Sequence, residues 1–384
     1  MTDISRSGFF LLRITLTVFT LLVCGACVRP KLVSTGDCGW YYLEYQPSQW
    51  EVEWRQGETS GDRRDRECEL LATPVEVDRS VRLITAIQDA MLRNKVVPPD
   101  SIALFSRMVY ARRCGSDLKD TGKRRVQLIE PLVGLIRDPL TICPRPQGVT
   151  DDLFGAFGPD ESPLQSKRHL LVGNAAPWTD TPDVPASWRI GGFEPWANAA
   201  SALHAPRTRQ NVLLDIGAST YGNWKGDPGS VGAMWFVQRF KNQNLNFDWI
   251  VSYENTKYDP DDIYRDVPND VLPHYIYFNQ GVEADPLGKW NPWRILRGMG
   301  ATPADYVVVK LDIDVPDIEN PLVDQVLNDP GLQGLIDEMF YEHHTNTKPM
   351  LNYWDTKDSP LRLADTYRIF AAMRSKGIRM HGWP

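Results

Sequence analysis

The chain has 384 residues, of which 42% are hydrophobic and 24% are charged, and this composition excludes a wholly disordered protein. Its formal net charge of -7 provides no general attraction to phosphate backbones, so nucleic acid is not an expected partner. The length is sufficient for one large domain or for two modest ones.

The first predicted element is an apolar segment at 9–28, interrupted by Arg13. A helix of this length spans the ~30 Å hydrocarbon layer of a bilayer. Small residues around Cys24 and Ala26 are also typical of a signal-peptide cleavage site. We expect a single-pass membrane anchor with residues 1–8 in the cytosol, and a cleaved signal is the alternative. Both place the rest of the chain in a lumen of the endoplasmic reticulum or Golgi type, or outside the cell.

Cysteines in the segment that follows indicate the same compartment. They are Cys38, Cys68, Cys114 and Cys143. Well-separated cysteines without the short spacing of a zinc site are typical of disulfides in an oxidising environment. We expect two disulfides, with three pairings open, and free buried thiols are the alternative.

Residues 29–150 are predicted to form a small, mostly helical accessory region. Apolar residues recur at helical spacing over 77–95 and over 124–140, and prolines follow or close both segments. Aromatic residues over 39–69 partly alternate with polar ones, as they do in short strands. Residues 151–209 contain no long periodic element, so we expect an irregular capping segment there.

Residues 210–384 have the pattern of an α/β domain. Five short apolar runs stand at 211–219, 247–254, 274–282, 305–315 and 335–344, and such runs are required by a parallel sheet that is covered on both faces. Amphipathic helices are predicted over 231–243 and 361–377. The predicted fold class is therefore α/β, with a Rossmann-like doubly wound sheet.

Polar residues stand at the ends of the predicted strands, where a doubly wound sheet binds its ligand. They are Asp215, Gly217, Ala218 and Ser219 after the first strand, Glu254 after the second, Asp312 and Asp314 after the fourth, and Glu342, His343 and His344 on the fifth. A glycine there lets the backbone approach a ligand, and an acidic strand end can accept both ribose hydroxyls. Strand alternation predicts that Asp312 and Asp314 point to the same side.

The order of these signals resembles that of class I S-adenosylmethionine-dependent methyltransferases, especially the FkbM-like family. Residues 215–218, Asp-Ile-Gly-Ala, are similar to the start of motif one of that family, and residues 310–314, Lys-Leu-Asp-Ile-Asp, are similar to its Lys-Ile-Asp-Val-Glu segment. Glu342 and His344 are similar to its Glu-x-His strand. The chain departs from the family at Tyr221, where a glycine is usual.

This resemblance implies a methyltransferase domain with S-adenosylmethionine as cofactor and no required metal. The implied cofactor-binding residues are Asp215, Gly217, Ala218, Ser219, Glu254 and Asn279, and the implied catalytic residues are Asp312, Asp314 and His344. In such a reaction the protein positions both partners and removes a proton from the nucleophile. We expect an oxygen or nitrogen acceptor on a small molecule or glycan, and membrane contact through the N-terminal helix.

Two alternatives stay open at this stage. Residues 312–314, Asp-Ile-Asp, also look like the D-x-D strand that binds a metal and a sugar nucleotide in many membrane-anchored glycosyltransferases. The missing glycine at Tyr221 is also compatible with a methyltransferase-fold protein that has lost its cofactor.

Overall fold

The computed structural model describes residues 38–59, 96–97, 103–115, 117–132, 178–179, 188–189, 209–222, 232–241, 245–346 and 359–383. The predicted anchor at 9–28 and the predicted helix at 77–95 lie outside these ranges. Among the residues within them, no helix has the length and apolar character needed to cross a bilayer.

The described residues of the N-terminal part of the chain form mainly strands. Its elements are β1 (Cys38–Gln46), α1 (Gln49–Thr59), β2 (Val96–Val97), β3 (Ser106–Cys114), β4 (Lys119–Ile129), β5 (Trp178–Thr179) and β6 (Trp188–Arg189). An antiparallel sheet has the strand order β1-β3-β4-β5, and β2 pairs separately with β6. For the described residues, the prediction of a mostly helical region is therefore wrong.

The segment that was expected to start a helix at residue 124 shows why. Val126 pairs with Val109 and Leu128 pairs with Arg107 in the ladder between β3 and β4, and both Val126 and Leu128 are buried. The apolar residues of this segment satisfy both a helical and an alternating pattern over a few residues, so pairing with β3 decides the outcome.

Trp50 and Trp54 show the opposite difference, because a strand was predicted and a helix is observed. They were grouped with residues of short strands, but both lie on α1, one helical turn apart. Their rings are buried and meet edge to face. Their spacing of four residues places them on the same face of the helix.

A disulfide joins Cys38 and Cys114, which are directly paired at the ends of β1 and β3. Of the three partners that the sequence leaves open for Cys38, the structure selects Cys114. Cys68 and Cys143 lie outside the described residues.

The C-terminal part of the chain alternates strands and helices. Its elements are β7 (Asn211–Ile216), α2 (Ala233–Lys241), β8 (Trp249–Tyr253), α3 (Pro260–Tyr264), β9 (Tyr275–Phe278), α4 (Pro292–Gly298), β10 (Tyr306–Leu311), α5 (Pro316–Asn328), α6 (Pro330–Leu335), β11 (Glu338–Tyr341), α7 (Leu363–Ser375) and β12 (Arg379–Gly382). The five predicted strands and the two predicted helices are present, which confirms the α/β class.

All six strands of this part run parallel, in the order β9-β8-β7-β10-β11-β12. Counted along this part of the chain, the order is 3-2-1-4-5-6, which is compatible with a Rossmann-like doubly wound fold. The strand order reverses between β7 and β10. In such sheets a ligand binds beyond the carboxyl ends of the strands at this point.

The sixth strand, β12, was not predicted. Arg379 and His381 look like surface residues in the sequence, but all four residues of β12 are buried. Arg379 pairs with Glu338, and the ring of His381 is hydrogen-bonded to Glu338 and Glu130, which come from other elements. A strand that buries ion pairs has no apolar run by which it can be recognised.

The two large sheets are joined through α7 and share one hydrophobic core. Trp50 and Trp54 of α1 and Leu128 of β4 belong to the same buried cluster as Phe370 of α7 and the inner residues of β7 and β10. The Tyr42 hydroxyl of β1 donates a hydrogen bond to the carbonyl of Arg374, near the end of α7. The N-terminal sheet is thus packed against the helix that precedes β12.

Candidate functional site

Polar side chains converge at the carboxyl ends of β7, β10 and β11. We call them the carboxyl-edge cluster, and its members are Asp215, Lys310, Asp312, Asp314, Glu319, Glu342 and His344. Asp215 and Lys310 are neighbours in the ladder between β7 and β10. The cluster therefore lies at the reversal of strand order, where the fold expects a ligand.

Lys310 is the buried cation of the cluster, with 1% of its surface exposed. Its Nζ donates a hydrogen bond of 2.6 Å to the carbonyl of Gly217. The same atom lies 3.5 Å from Asp215 Oδ1 and 3.3 Å from Asp312 Oδ2. Because a buried ammonium group is stable only when it is paired and hydrogen-bonded, Lys310 ties the turn after β7 to the end of β10.

Asp215 is fully buried beside this lysine. Burial raises the pKa of Asp215 to about 6, and the charge of Lys310 acts in the opposite direction. The carboxylates of Asp312 and Glu254 add to the increase. Asp215 therefore exchanges a proton far closer to neutral pH than an exposed aspartate does.

The turn after β7 requires a glycine for a reason other than the one expected. Gly217 has φ +86°, and a Cβ atom there would lie 1.6 Å from the carbonyl oxygen of Asp312. The close approach is thus between two backbone segments of the protein rather than between backbone and ligand. The N–H groups of Gly217 and Ala218 both donate to the carbonyl of Tyr253 at the end of β8.

Glu254 lies directly against this turn. Its Oε2 accepts a hydrogen bond of 2.8 Å from the N–H of Ser219, and its Oε1 accepts one of 2.7 Å from the N–H of Thr256. A carboxylate oxygen has two acceptor sites. Each oxygen of Glu254 therefore keeps one site for a further donor, and the glycine turn and the acidic strand end share one edge of the sheet.

Asn279 holds the loop that follows β8. Its side-chain oxygen accepts from the N–H of Tyr258, and its amide nitrogen donates to the carbonyls of Glu254 and Thr256. These three bonds to the backbone fix the loop beside Glu254, and the cofactor contact expected of Asn279 stays a prediction.

Asp312 and Asp314 face different partners. Strand β10 ends at Leu311, so the alternation expected for the two aspartates does not extend to them. Asp312 Oδ2 accepts a hydrogen bond of 2.9 Å from Trp383 Nε1. Asp314 has φ +57° and an 82% exposed side chain, and its Oδ1 lies 3.6 Å from Nε2 of His344.

Glu342 and His344, just after β11, are adjacent and almost fully buried. His344 Nε2 lies 3.4 Å from Glu342 Oε2. Burial and the charge of Asp312 raise the pKa of Glu342 to about 7. Burial alone would lower the pKa of His344, but the hydrogen bond and the charge of Glu342 raise it.

His343, by contrast, belongs to the core. Its Nδ1 is hydrogen-bonded to the hydroxyl of Thr366 on α7. Burial lowers the pKa of His343 to about 4, so the ring is neutral at physiological pH. Of the two adjacent histidines, the structure brings His344 into the cluster.

Glu319 completes the cluster and was missed as a site residue in the sequence. It stands in the first turn of α5, where an acidic residue normally complements the helix dipole at the surface. In the structure it is fully buried, and its Oε1 accepts a hydrogen bond of 2.8 Å from the N–H of Ile313. Burial raises the pKa of Glu319 to about 8.

No known protein family, curated protein or solved structure matches this chain. The function must therefore be inferred from the geometry of the cluster. Three buried carboxyl groups, those of Asp215, Glu342 and Glu319, have pKa values of about 6, 7 and 8. Groups that titrate near neutral pH suit proton transfer and are typical of functional sites.

Proposed function

We propose that the chain is an S-adenosylmethionine-dependent methyltransferase that acts on an oxygen or nitrogen atom of a small-molecule or glycan acceptor. One observation carries the proposal. The glycine turn after β7 lies beside the reversal point of a parallel 3-2-1-4-5-6 sheet, and it meets the acidic end of the neighbouring strand β8, where Glu254 accepts a hydrogen bond from the N–H of Ser219. The resemblance of residues 215–218 and 310–314 to FkbM-like sequences supports the same conclusion.

The residues present fit this cofactor in two respects. Glu254 keeps one acceptor site on each oxygen, and a ribose presents two adjacent hydroxyl donors. The cofactor also carries a sulfonium and an ammonium group. The carboxylates of Asp215, Asp312 and Glu254 outnumber the buried cation Lys310, which pairs with the first two, so this edge keeps a negative character that suits a cation. We propose that Asp215, Gly217, Ala218, Ser219 and Glu254 form the cofactor site.

When bound, S-adenosylmethionine supplies a methyl group that is already electrophilic. The chain must then orient the acceptor and remove its proton. Asp312 is engaged with Trp383 and Lys310, so of the three expected catalytic residues His344 is the best proton acceptor. Because the pKa of its neighbour Glu342 is about 7, the two groups together can take up a proton near neutral pH.

The two alternative functions fit the geometry less well. A D-x-D metal site would require Asp312 and Asp314 to address one ion together, but they contact Trp383 and His344 respectively. The alternative of a protein that has lost its cofactor depends on Tyr221, which stands where a glycine is usual. Its ring is buried in the core, edge-on to Tyr275 at 5.4 Å, so the missing glycine is accommodated by packing.

We also propose that the catalytic part lies in an oxidising lumen or outside the cell and that segment 9–28 anchors it to the membrane. The Cys38–Cys114 disulfide supports this compartment, because structural disulfides persist where thiols are not kept reduced.

The test is calorimetric titration of the purified full-length protein with S-adenosylmethionine and with its demethylated product. Glu254→Gln keeps the size of the side chain but removes its charge and one acceptor oxygen. We expect it to weaken binding about tenfold to a hundredfold, the cost of one charge-assisted hydrogen bond. Asp215 is less suitable for this test because its replacement would also remove one of the two carboxylates that pair with the buried Lys310.

The matched control is Glu283→Gln. Glu283 also accepts a hydrogen bond from a backbone N–H, that of Trp290, but in the loop after β9. It should leave the affinity unchanged. Stabilisation by a sugar nucleotide with Mn²⁺, together with no response to S-adenosylmethionine or its product, would overturn the proposal.

A further inference from the structure

Three metal-ligating side chains of the carboxyl-edge cluster meet at one point. Asp314, Glu342 and His344 each offer one ligand atom, and these atoms all lie within 4.8 Å of one another. The histidine nitrogen is 3.4 Å from Glu342 Oε2 and 3.6 Å from Asp314 Oδ1. Two carboxylates and one imidazole are a ligand set that divalent metal ions use in proteins.

Glu319 provides a second, independent observation at the same place. Its carboxyl group is fully buried, and its Oε2 accepts no hydrogen bond from the described residues. The group is close enough to His344, Asp312 and Glu342 for their charges to act on it. A buried carboxylate oxygen without a donor is costly, and a cation at this point would offset that cost.

We propose that Asp314, Glu342 and His344 bind a divalent transition-metal ion, with Glu319 as a buried carboxylate beside it. Ligand atoms that share one ion at ~2.0–2.2 Å can be at most about 4.4 Å apart, so the site closes with a shift of a few tenths of an ångström. The exposed Asp314 side chain is free to make it. Carboxylate ligands suit Mn²⁺ and an imidazole suits Zn²⁺, so these two ions are the candidates.

The ion would be accessible from one side. Glu342 and His344 are buried, whereas 82% of the Asp314 side chain is exposed. An ion with three protein ligands and an open side binds water or a substrate oxygen at the remaining positions. Its catalytic consequence rests on the proposed function: the ion would hold the acceptor hydroxyl and promote loss of its proton to solvent, while His344 would act as a ligand instead of a proton acceptor.

The test is ion binding by the purified full-length protein after treatment with chelator, without any cofactor. Free Mn²⁺ is followed by its electron paramagnetic resonance signal, which decreases as the ion binds. We expect one tight site per chain, and we expect Zn²⁺ to compete for it. Asp314→Asn should weaken it by at least about tenfold, the loss typical even of a residue that only orients a ligand.

Asp314→Asn is the deciding variant because the side chain is exposed and its replacement does not threaten folding. The control is Asp324→Asn, which removes another exposed carboxylate, on α5, and should leave Mn²⁺ binding unchanged. Absence of a tight site in the unmodified protein, or equal affinity in Asp314→Asn, would overturn the inference. Titration with S-adenosylmethionine is a separate measurement, so failure of ion binding with intact cofactor binding would leave the methyltransferase proposal standing.

Discussion

Two groups of mostly buried charged residues in this molecule differ in their balance of positive and negative charge. The first is the carboxyl-edge cluster. The second, which we call the inter-sheet network, consists of Glu130, Glu338, Arg374, Arg379 and His381 and connects the N-terminal sheet to the end of the parallel sheet. In the network, His381 Nδ1 is 2.7 Å from Glu130 Oε1 and its Nε2 is 2.8 Å from Glu338 Oε1.

Each carboxylate of the inter-sheet network faces one arginine and one ring nitrogen of His381. Burial would raise the pKa of Glu338, but Arg379 and His381 lower it to about 2. His381 and Arg374 likewise lower the pKa of Glu130 against the effect of burial. Both carboxylates are therefore ionised at neutral pH.

In the carboxyl-edge cluster, burial raises the pKa values of the carboxyl groups, and fewer cations lie nearby to lower them. Lys310 is shared between Asp215 and Asp312, and the pKa values of Asp215, Glu342 and Glu319 are raised to about 6, 7 and 8. Equal burial thus leads to opposite protonation, depending on which cations lie nearby. Balanced charges favour a structural role, and an excess of one sign is typical of a site that binds or transfers something.

The largest effect is expected from breaking the inter-sheet network at Arg374. Its guanidinium group is fully buried and donates to Glu130, to Tyr45 and to the carbonyl of Met380. Arg374→Met leaves Glu130 with one cation fewer, and we expect a loss of about 3–5 kcal/mol in the free energy of unfolding. Urea denaturation measures it.

Arg368→Met is the control on the same helix. The side chain of Arg368 is 71% exposed, and its ion pair with Asp365 lies at the surface. Such pairs contribute at most about 1 kcal/mol. Similar losses for the two variants would mean that the network does not stabilise the contact between the sheets.

A somewhat smaller effect is expected from the turn that supports the carboxyl-edge cluster. Gly217→Ala adds a Cβ in a left-handed conformation and directs it at the Asp312 carbonyl. We expect a loss of about 2–4 kcal/mol, from the left-handed penalty and the overpacking together. Gly122→Ala is the matched control, since Gly122 has φ +76° with nothing within 4 Å of an added Cβ. A loss no greater than in Gly122→Ala would contradict the close approach of the two backbones.

The pH dependence of the free energy of unfolding should have opposite signs for the two regions. Glu319 has a folded-state pKa of about 8, above its ordinary value of 4.5, so its stabilising contribution is complete below about pH 4.5 and is lost as the pH rises through about 8. Glu338, with a pKa of about 2, contributes stability above about pH 4.5 that is lost as the pH falls towards 2.

The variant that checks this is Glu319→Gln. In unfolding experiments with chelator present, it should flatten the decline in stability between about pH 5 and 8, by up to a few kcal/mol. The loss of stability at acidic pH should not change. An unchanged decline between about pH 5 and 8 would show that Glu319 is not the titrating group.

The smallest effect on stability is expected from Asp314→Asn. The side chain is 82% exposed, and asparagine tolerates the positive φ of this position about as well as aspartate does. We expect the free energy of unfolding to change by less than about 0.5 kcal/mol. A large loss in the free energy of unfolding would mean that Asp314 has a structural role.

Local patterns predicted the strands of the parallel sheet well and those of the N-terminal region poorly. β7 and β10 are continuous apolar runs because both faces of the sheet are covered. β4 has an apolar pattern that is compatible with a helix over a few residues. β12 has no apolar run, because it contains the buried polar side chains of Arg379 and His381. In both cases contacts with distant strands decided the structure.

For the candidate site, the sequence predicted the place better than the roles. Asp215, Glu254 and His344 lie at one edge because parallel strands bring their carboxyl ends together. The contributions of Glu319 and Trp383 come from the start of α5 and the segment after β12, so no local motif could indicate them. Asn279, a predicted cofactor-binding residue, holds the loop after β8 through its side-chain hydrogen bonds.

The amino-acid sequence by itself determined the order and type of the elements in residues 210–384 and the strand ends at which polar groups stand, because hydrophobic periodicity is a local property of the chain. Only the tertiary structure decided which charges are balanced. Glu130 and His381 are 251 residues apart in sequence and in contact in the fold, and the pKa of a buried carboxyl group depends on such contacts through Coulomb interactions that weaken as the distance in space grows.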